Sequence, residues 1–425
     1  MTRKAWTSGA AWTVGLLTLV QAFGFIDRLV IASLAEPIRL ELKLTDGQIG
    51  MMGLAFSLLA ALASIPLARL ADRRGRVKLI AMGVALWSIM TALTGGAMNF
   101  WQMFAARLGT GFGEAVQPSM SALIAEKVAP ARRASALSFY SLAIPIGAFV
   151  GAAGGGLIAQ HWGWRWAFVA AGLPGLLLAV LVWRTLTDLP RRAADDATPM
   201  PSILAVIRHM GSRRSLPHAV WGTIIATFVI FGIQMFLPAW LMRRHGFAAG
   251  EAGITLGLLS SLPAMVSMAM GGFLADRLAR RDARFYVWIP AAFLILCVPL
   301  YLVALSSMEW RLALPLLIAI GFLQYAQTPL LLAIVQNMVT DRMRATASAL
   351  VGVLTGLVAA GGGPWLVGML SDAFQARGDG SDPAAGLTQA MMLAACLYGV
   401  AALHLLLAAR TIRADLAASG WSATP

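Results

Sequence analysis

Twelve stretches of roughly 20 apolar residues, the length that crosses a bilayer core, recur along the chain and leave it few folds to choose from. They lie near 10–34, 47–69, 77–96, 100–125, 136–160 and 166–185, and after a polar segment near 217–242, 251–273, 285–307, 311–339, 344–371 and 386–410. Backbone N–H and C=O groups in hydrocarbon must be satisfied within the segment, so stretches of this kind are expected as helices. Charged residues make up 12% of the chain, about half the share found in soluble domains. The expectation is an all-α membrane protein of twelve transmembrane helices, the first one retained.

Lys and Arg set the orientation, because they accumulate on the cytoplasmic side. With the N-terminus inside, 24 of the 33 fall in cytoplasmic segments and 7 in the opposite loops; Arg28 and Arg107 lie within spans. Both termini are therefore expected in the cytoplasm. The net charge of +14 is then a topology signal facing anionic lipid headgroups, and nucleic-acid binding is not expected. Cys297 and Cys396 sit inside apolar runs and read as small core hydrophobes. No metal-ligand spacing and no nucleophile–base pair is evident, so neither an enzyme nor a cofactor is expected.

The two halves repeat. Asp72-Arg73 near the end of the second stretch recurs as Asp276-Arg277 after the eighth, at an offset of 204 residues. Arg133-Ala134-Ser135-Ala136 recurs as Arg344-Ala345-Thr346-Ala347, at an offset of 211. Two six-helix bundles in the same orientation imply a pseudo-twofold along the membrane normal with a central cavity. The expected organisation is a bundle over 1–185, a cytoplasmic linker over 186–216, a second bundle over 217–410 and a tail over 411–425.

Asp72-Arg73-Arg74-Gly75-Arg76, with its degenerate copy near Asp276, resembles the signature loop of the major facilitator superfamily. Ala68 and Ala279 stand where that pattern has glycines. A narrower resemblance rests on Phe25-Ile26-Asp27-Arg28, on Leu44-Thr45-Asp46-Gly47-Gln48-Ile49-Gly50, and on the stretch from Ala106 to Ala115 that holds Arg107 and Glu114. These are similar to the Spinster branch and its bacterial relatives, proposed movers of lysolipids or sphingoid lipids, in some cases with protons. The resemblance implies a multi-pass protein of the bacterial inner membrane, acting as a monomer by alternating access. Its partners would be membrane lipids and a small-molecule or lipid substrate, with a proton gradient as the only coupling agent. A symporter of small carboxylates and a multidrug efflux transporter are the alternatives.

Four ionisable side chains fall within spans away from their ends: Asp27, Arg28, Arg107 and Glu114. A charge at mid-bilayer costs about 2.5–3.5 kcal/mol on insertion scales and normally faces a cavity or a partner. Their counterparts in the second half are apolar or neutral: Ile230 for Asp27, Ile318 for Arg107 and Tyr325 for Glu114. At about 1.5 Å of rise per residue, Asp27 and Arg107 reach the same depth, and Glu114 lies two turns further along the face of Arg107. Asp27 is expected to pair with Arg107 or Arg28, leaving Glu114 as the proton-coupling group; the bland alternative is a structural ion pair. Arg28 could also contact a phosphate or carboxylate, which guanidinium binds bidentately.

In the family, Asp72, Arg73 and Arg76 would form a cytoplasmic gate, with Asp276 and Arg277 as its second copy. Gln117, Tyr140, Gln324, Tyr325 and Gln327 lie on spans that line the cavity in that fold and are substrate-contact candidates; interhelical hydrogen bonding is the alternative. Gly109, Gly111 and Gly113, like Gly147, Gly151 and Gly155, read as close helix packing. Trp162, Trp164 and Trp166 read as an interfacial aromatic belt.

Overall fold

The computed structural model describes residues 8–129, 132–188, 202–279, 281–340, 343–378 and 382–419, and no β-strand occurs among them. The helices of the first half are α1 (Ser8–Leu42), α2 (Asp46–Arg74), α3 (Arg76–Thr94), α4 (Phe100–Glu114), α5 (Gln117–Lys127), α6 (Arg133–Ser141), α7 (Ala143–Trp162) and α8 (Trp164–Thr185). There follow α9 (Ile203–Ser212), α10 (Ser215–His245), α11 (Ala249–Ala279), α12 (Phe285–Ser306), α13 (Trp310–Gly321) and α14 (Gln327–Met338). The chain continues through α15 (Arg344–Leu354), a π-helical stretch Thr355–Gly361, α16 (Gly362–Gln375), α17 (Ala385–Ala409) and α18 (Ile412–Ala417).

Ten of the helical stretches described are long and apolar enough to cross a membrane. The stretches expected near 100–125 and 311–339 are each built from two shorter helices. The first breaks at Ala115–Val116, between α4 and α5, and the second between Gly321 and Gln327. At the first break the Ala115 N–H reaches back three residues, to the Phe112 carbonyl at 3.3 Å, in place of the α-helical partner four back. Discontinuous helices of this kind gather near binding sites in transporters, where freed backbone groups line a cavity.

Local signals account for the sharp corners. Thr45 caps α2 through a reciprocal capping box: its hydroxyl accepts from the Gln48 N–H at 3.2 Å, and the Gln48 side chain accepts from the Thr45 N–H at 3.0 Å. Gly75, at φ 97°, turns α2 into α3. The orphan N–H groups at the start of α3, on Arg76 and Val77, donate to the Asp188 carboxylate at 2.8 and 3.1 Å.

The chain forms two compact units, one of Met1–Arg192 with Met235–Ser261 and the other of Ala193–Gln234 with Leu262–Pro425. In the first, α1 packs on α7 and α8, α3 on α8, and α4 on α2 and α3. Its core includes Leu17, Val20, Ile80, Trp87, Leu123 and Val182. Close backbone approach replaces side-chain volume at Gly111, where a Cβ would stand 2.1 Å from the Phe56 carbonyl oxygen, and at Gly151, 2.5 Å from that of Ile26. In the second unit α12 and α16 pack on α17. Both units expose large apolar side chains, with Leu62, Leu177, Trp183, Phe273, Leu296 and Leu403 all exposed. Trp162 and Trp166 are exposed, but Trp164 departs from the expected belt: it is buried, and its indole N–H donates to Glu41 at 2.6 Å.

Candidate functional site

Consecutive residues on a helix point about 100° apart, so Asp27 and Arg28 on α1 face different neighbours. Asp27 turns inward to α3 and α4. Its carboxylate accepts from both terminal nitrogens of Arg107, at 3.1 and 3.0 Å, and from the Thr91 hydroxyl at 2.8 Å. Both partners are almost fully buried, at 2% and 1% side-chain exposure. The Arg107 guanidinium also lies over the Phe168 ring, 5.4 Å from its centroid.

Arg28 turns toward the break between α4 and α5. It donates to one oxygen of Glu114, Oε2, from Nε at 2.8 Å and Nη2 at 2.5 Å, and Gln117 donates to the same oxygen at 2.9 Å. Gln117 in turn accepts from Arg28 at 3.3 Å. The other Glu114 oxygen, Oε1, is buried without a partner. The Arg28 side chain is 29% exposed while that of Glu114 is 0%, and its guanidinium lies over the Phe25 and Phe56 rings. Glu114 is thus paired with Arg28, where the sequence left it alone. One turn before Phe25 on α1, Gln21 accepts from the Tyr140 hydroxyl at 2.7 Å.

The second unit holds a neutral polar set. The Gln324 carbonyl oxygen accepts from the hydroxyls of Tyr301 and Tyr398, at 3.0 and 2.8 Å, and the two rings are stacked. Gln234 donates to the Tyr325 hydroxyl. Gln327, 1% exposed, has neither its amide nitrogen nor its oxygen paired. The structure thus gathers Asp27, Arg28, Arg107, Glu114 and Gln117 within one unit, with Tyr140 nearby, and Gln324, Tyr325 and Gln327 within the other.

Arg76 pairs with Glu126, and Arg277 is exposed. The side chains of Asp72, Arg73 and Asp276 lie outside the described residues. A second buried charge cluster escaped the sequence reading, which weighed only charges far from span ends. Arg243, near the end of α10, donates to Glu36 at 2.7 Å and to both oxygens of Asp46, at 2.8 and 2.6 Å. The available signal was the scarcity of basic residues in that set of loops in the sequence, which makes each one there conspicuous.

The family model described as Major Facilitator Superfamily matches residues 17–364. An MFS-type efflux pump of Mycolicibacterium smegmatis is 34% identical over 378 residues, covering 87% of this chain and 85% of its own. Protein spinster homolog 1 of Bos taurus is 27% identical over 390 residues, covering 85% of this chain and 73% of its own. A solved bacterial homologue of the human lysosomal transporter Spinster, inward-facing and occupied, superposes with a TM-score of 0.88 at 28% identity, over 97% of this chain and 99% of its own. The chain belongs to the major facilitator superfamily and resembles the bacterial Spinster homologues.

Proposed function

We propose that the chain is a secondary active transporter working by alternating access, coupled to protons through Glu114, for an amphipathic anionic or lipid-like substrate. The observation that carries this reading is the Glu114 carboxylate, fully buried, with one oxygen held by Arg28 and Gln117 and the other unpaired. Burial disfavours its charge and the guanidinium favours it, so a change at Arg28 can decide whether the site holds a proton. Asp27 with Arg107 fixes the neighbouring helices and belongs to the same coupling network. Arg28 meets the anionic group of the substrate. Gln117, Tyr140, Gln324, Tyr325 and Gln327 supply uncharged hydrogen bonds, which suits a substrate that is mostly apolar.

In this reading the two broken stretches are spans as well, which makes twelve, with both termini at the basic cytoplasmic face of a bacterial inner membrane and the protein acting as a monomer. Asp72, Arg73, Arg76, Asp276 and Arg277 form the cytoplasmic gate. The bilayer lipids are its surroundings and the proton gradient its energy source, without a bound cofactor. A second reading, symport of small carboxylates, draws on the partial exposure of Arg28. The relative named as an efflux pump favours outward movement, and multidrug export is a further alternative.

The test is proton flux in sealed proteoliposomes carrying a pH-sensitive dye, with lysophospholipids, sphingoid lipids and small organic anions offered in turn. Flux driven by a lysolipid and lost in Glu114→Gln is the expected result. Flux with small carboxylates alone would favour the second reading, and lysolipid-driven flux that survives Glu114→Gln at every pH would remove Glu114 from the coupling step.

A further inference from the structure

We infer that α9 lies in the plane of the membrane surface and binds an anionic phospholipid face. The inference rests on the membrane-spanning reading of the chain and on nothing about its substrate. The helix is closed at its start by the Ser202 hydroxyl, which accepts from the Ala205 N–H at 3.2 Å. Only Arg213 and Arg214 separate its end from α10, which is long and apolar enough to cross a membrane. The three steps from Ser212 to Ser215 reach at most about 11 Å at full extension, so α9 is held near the level where α10 enters.

At about 100° per residue, the side chains of α9 fall into three sectors. Val206, fully buried, with half-buried His209 and Met210, forms the packed sector. His209 donates to the Met338 carbonyl at the end of α14 at 3.2 Å, and α9 packs on α15. Ile203, Leu204 and Ile207 form the second sector and are 39%, 64% and 50% exposed. Exposed Arg208 and Ser212 form the third, and Arg213 and Arg214 follow directly.

An apolar sector left bare beside a cationic one is the pattern of a helix seated at the boundary of headgroups and acyl chains. The charge is one-sided as well: no acidic residue occurs from Ser202 to Leu216, while three arginines do. Anionic headgroups complement that composition, at a gain of about fivefold in the surface-binding equilibrium for each arginine. The packed sector ties the same helix to the last turn of α14, so lipid contact at one face bears on the segment that carries Gln327.

The test uses the full chain with Cys297→Ala and Cys396→Ser and one cysteine introduced at Leu204, Ile207 or Ser212, labelled with an environment-sensitive fluorophore. The protein is reconstituted into phosphatidylcholine vesicles with and without phosphatidylglycerol, and quenched by lipids spin-labelled near the top of the acyl chain. Labels at 204 and 207 should be quenched several-fold more than the label at 212. The difference should shrink when phosphatidylglycerol is omitted and in R208Q/R214Q, both exposed positions. Each variant should unfold in detergent at the parent temperature, since none alters the packed sector. Equal quenching at 204 and 212 would overturn the proposal, as would crosslinking between two copies through position 204. Quenching indifferent to phosphatidylglycerol and to the arginines would refute the anionic preference. No flux is measured, so failure here and failure of the transport reading are distinct events.

Discussion

Asp27→Asn alters almost no volume, yet it removes the carboxylate that is hydrogen-bonded to Arg107 in a pair exposed by no more than 2%. The Arg107 guanidinium would be left buried without its counter-charge, with the Thr94 hydroxyl at 3.4 Å and the Phe168 ring as further neighbours. Breaking a buried pair from one side costs about 3–5 kcal/mol, mostly as the penalty of the orphaned charge. Asparagine still offers one oxygen to Arg107 and Thr91, so the lower end, about 3 kcal/mol, is expected. Arg107→Gln should cost a similar amount, because Asp27 would keep the Thr91 hydroxyl but lose its counter-charge. The double variant D27N/R107Q leaves no charge behind and should be far milder than the sum, giving a coupling of about 2–3 kcal/mol. Equilibrium unfolding in mixed micelles, followed by circular dichroism and by labelling of buried Cys297, measures all four corners of the cycle. A coupling below about 0.5 kcal/mol, the scatter of independent sites, would refute the assignment of Asp27 and Arg107 as one buried unit.

Gly111→Ala would drive a methyl group against the Phe56 carbonyl oxygen and should cost about 1–3 kcal/mol as overpacking. Gly154→Ala, which meets nothing within 4 Å, should not destabilise, and thermal unfolding in detergent compares the two. Thr45→Ala removes the cap of α2 and should cost about 1 kcal/mol, read as a lower unfolding midpoint and faster amide exchange over the first turn of α2. Asp282, in the connection between α11 and α12, has its carboxyl held below the ordinary value, first by hydrogen bonding from Arg413 and further by the Arg284 N–H. A depressed value means that the fold favours the ionised form. The stabilisation is therefore complete above the unfolded value of about 4 and fades as pH falls through the lower folded value. The gap in midpoint between wild type and Arg413→Gln should be flat from neutral pH to about pH 5 and close only in stronger acid. A gap that widens on acidification would refute this.

The helices were legible because hydrocarbon permits so little else, and the four internal charges because each one is costly there. The partners were legible only in part. Depth along the helix matched Asp27 to Arg107, but the 100° step that sends Arg28 toward Glu114 depends on how α1 is rotated against α4, and one apolar stretch cannot reveal its own rotation. The breaks after Glu114 and before Gln327 also escaped, since Ala115-Val116 is apolar and Gln324 and Tyr325 were read as positions lining a cavity, not as an interruption of the helix. The local signal available was Pro118 and Pro329, which stand in the first turn of α5 and of α14, where a helix tolerates proline. Helix α9 lay inside a stretch read as linker, because ten residues fall short of the length that the membrane signal requires. Trp164 shows the reverse error: its position at a span end suggested the lipid interface, while Glu41, more than a hundred positions earlier, provides the partner for its buried indole.

The π-helical stretch Thr355–Gly361 decides where this part of the chain can change length. A π turn holds one residue more than an α turn over nearly the same rise, so it can hold one extra residue between two fixed helical ends. Here α15 on one side and α16 on the other are those fixed ends, and the extra residue is absorbed between them without rotating either. Shortening the stretch by one residue would return it to regular winding while leaving the faces of α15 and α16 in phase. The same deletion placed inside α16 would instead turn everything beyond it by about 100°, carrying Val367 and Ser371, which are buried, out of the interior. Length variation along this part of the chain should therefore collect at 355–361.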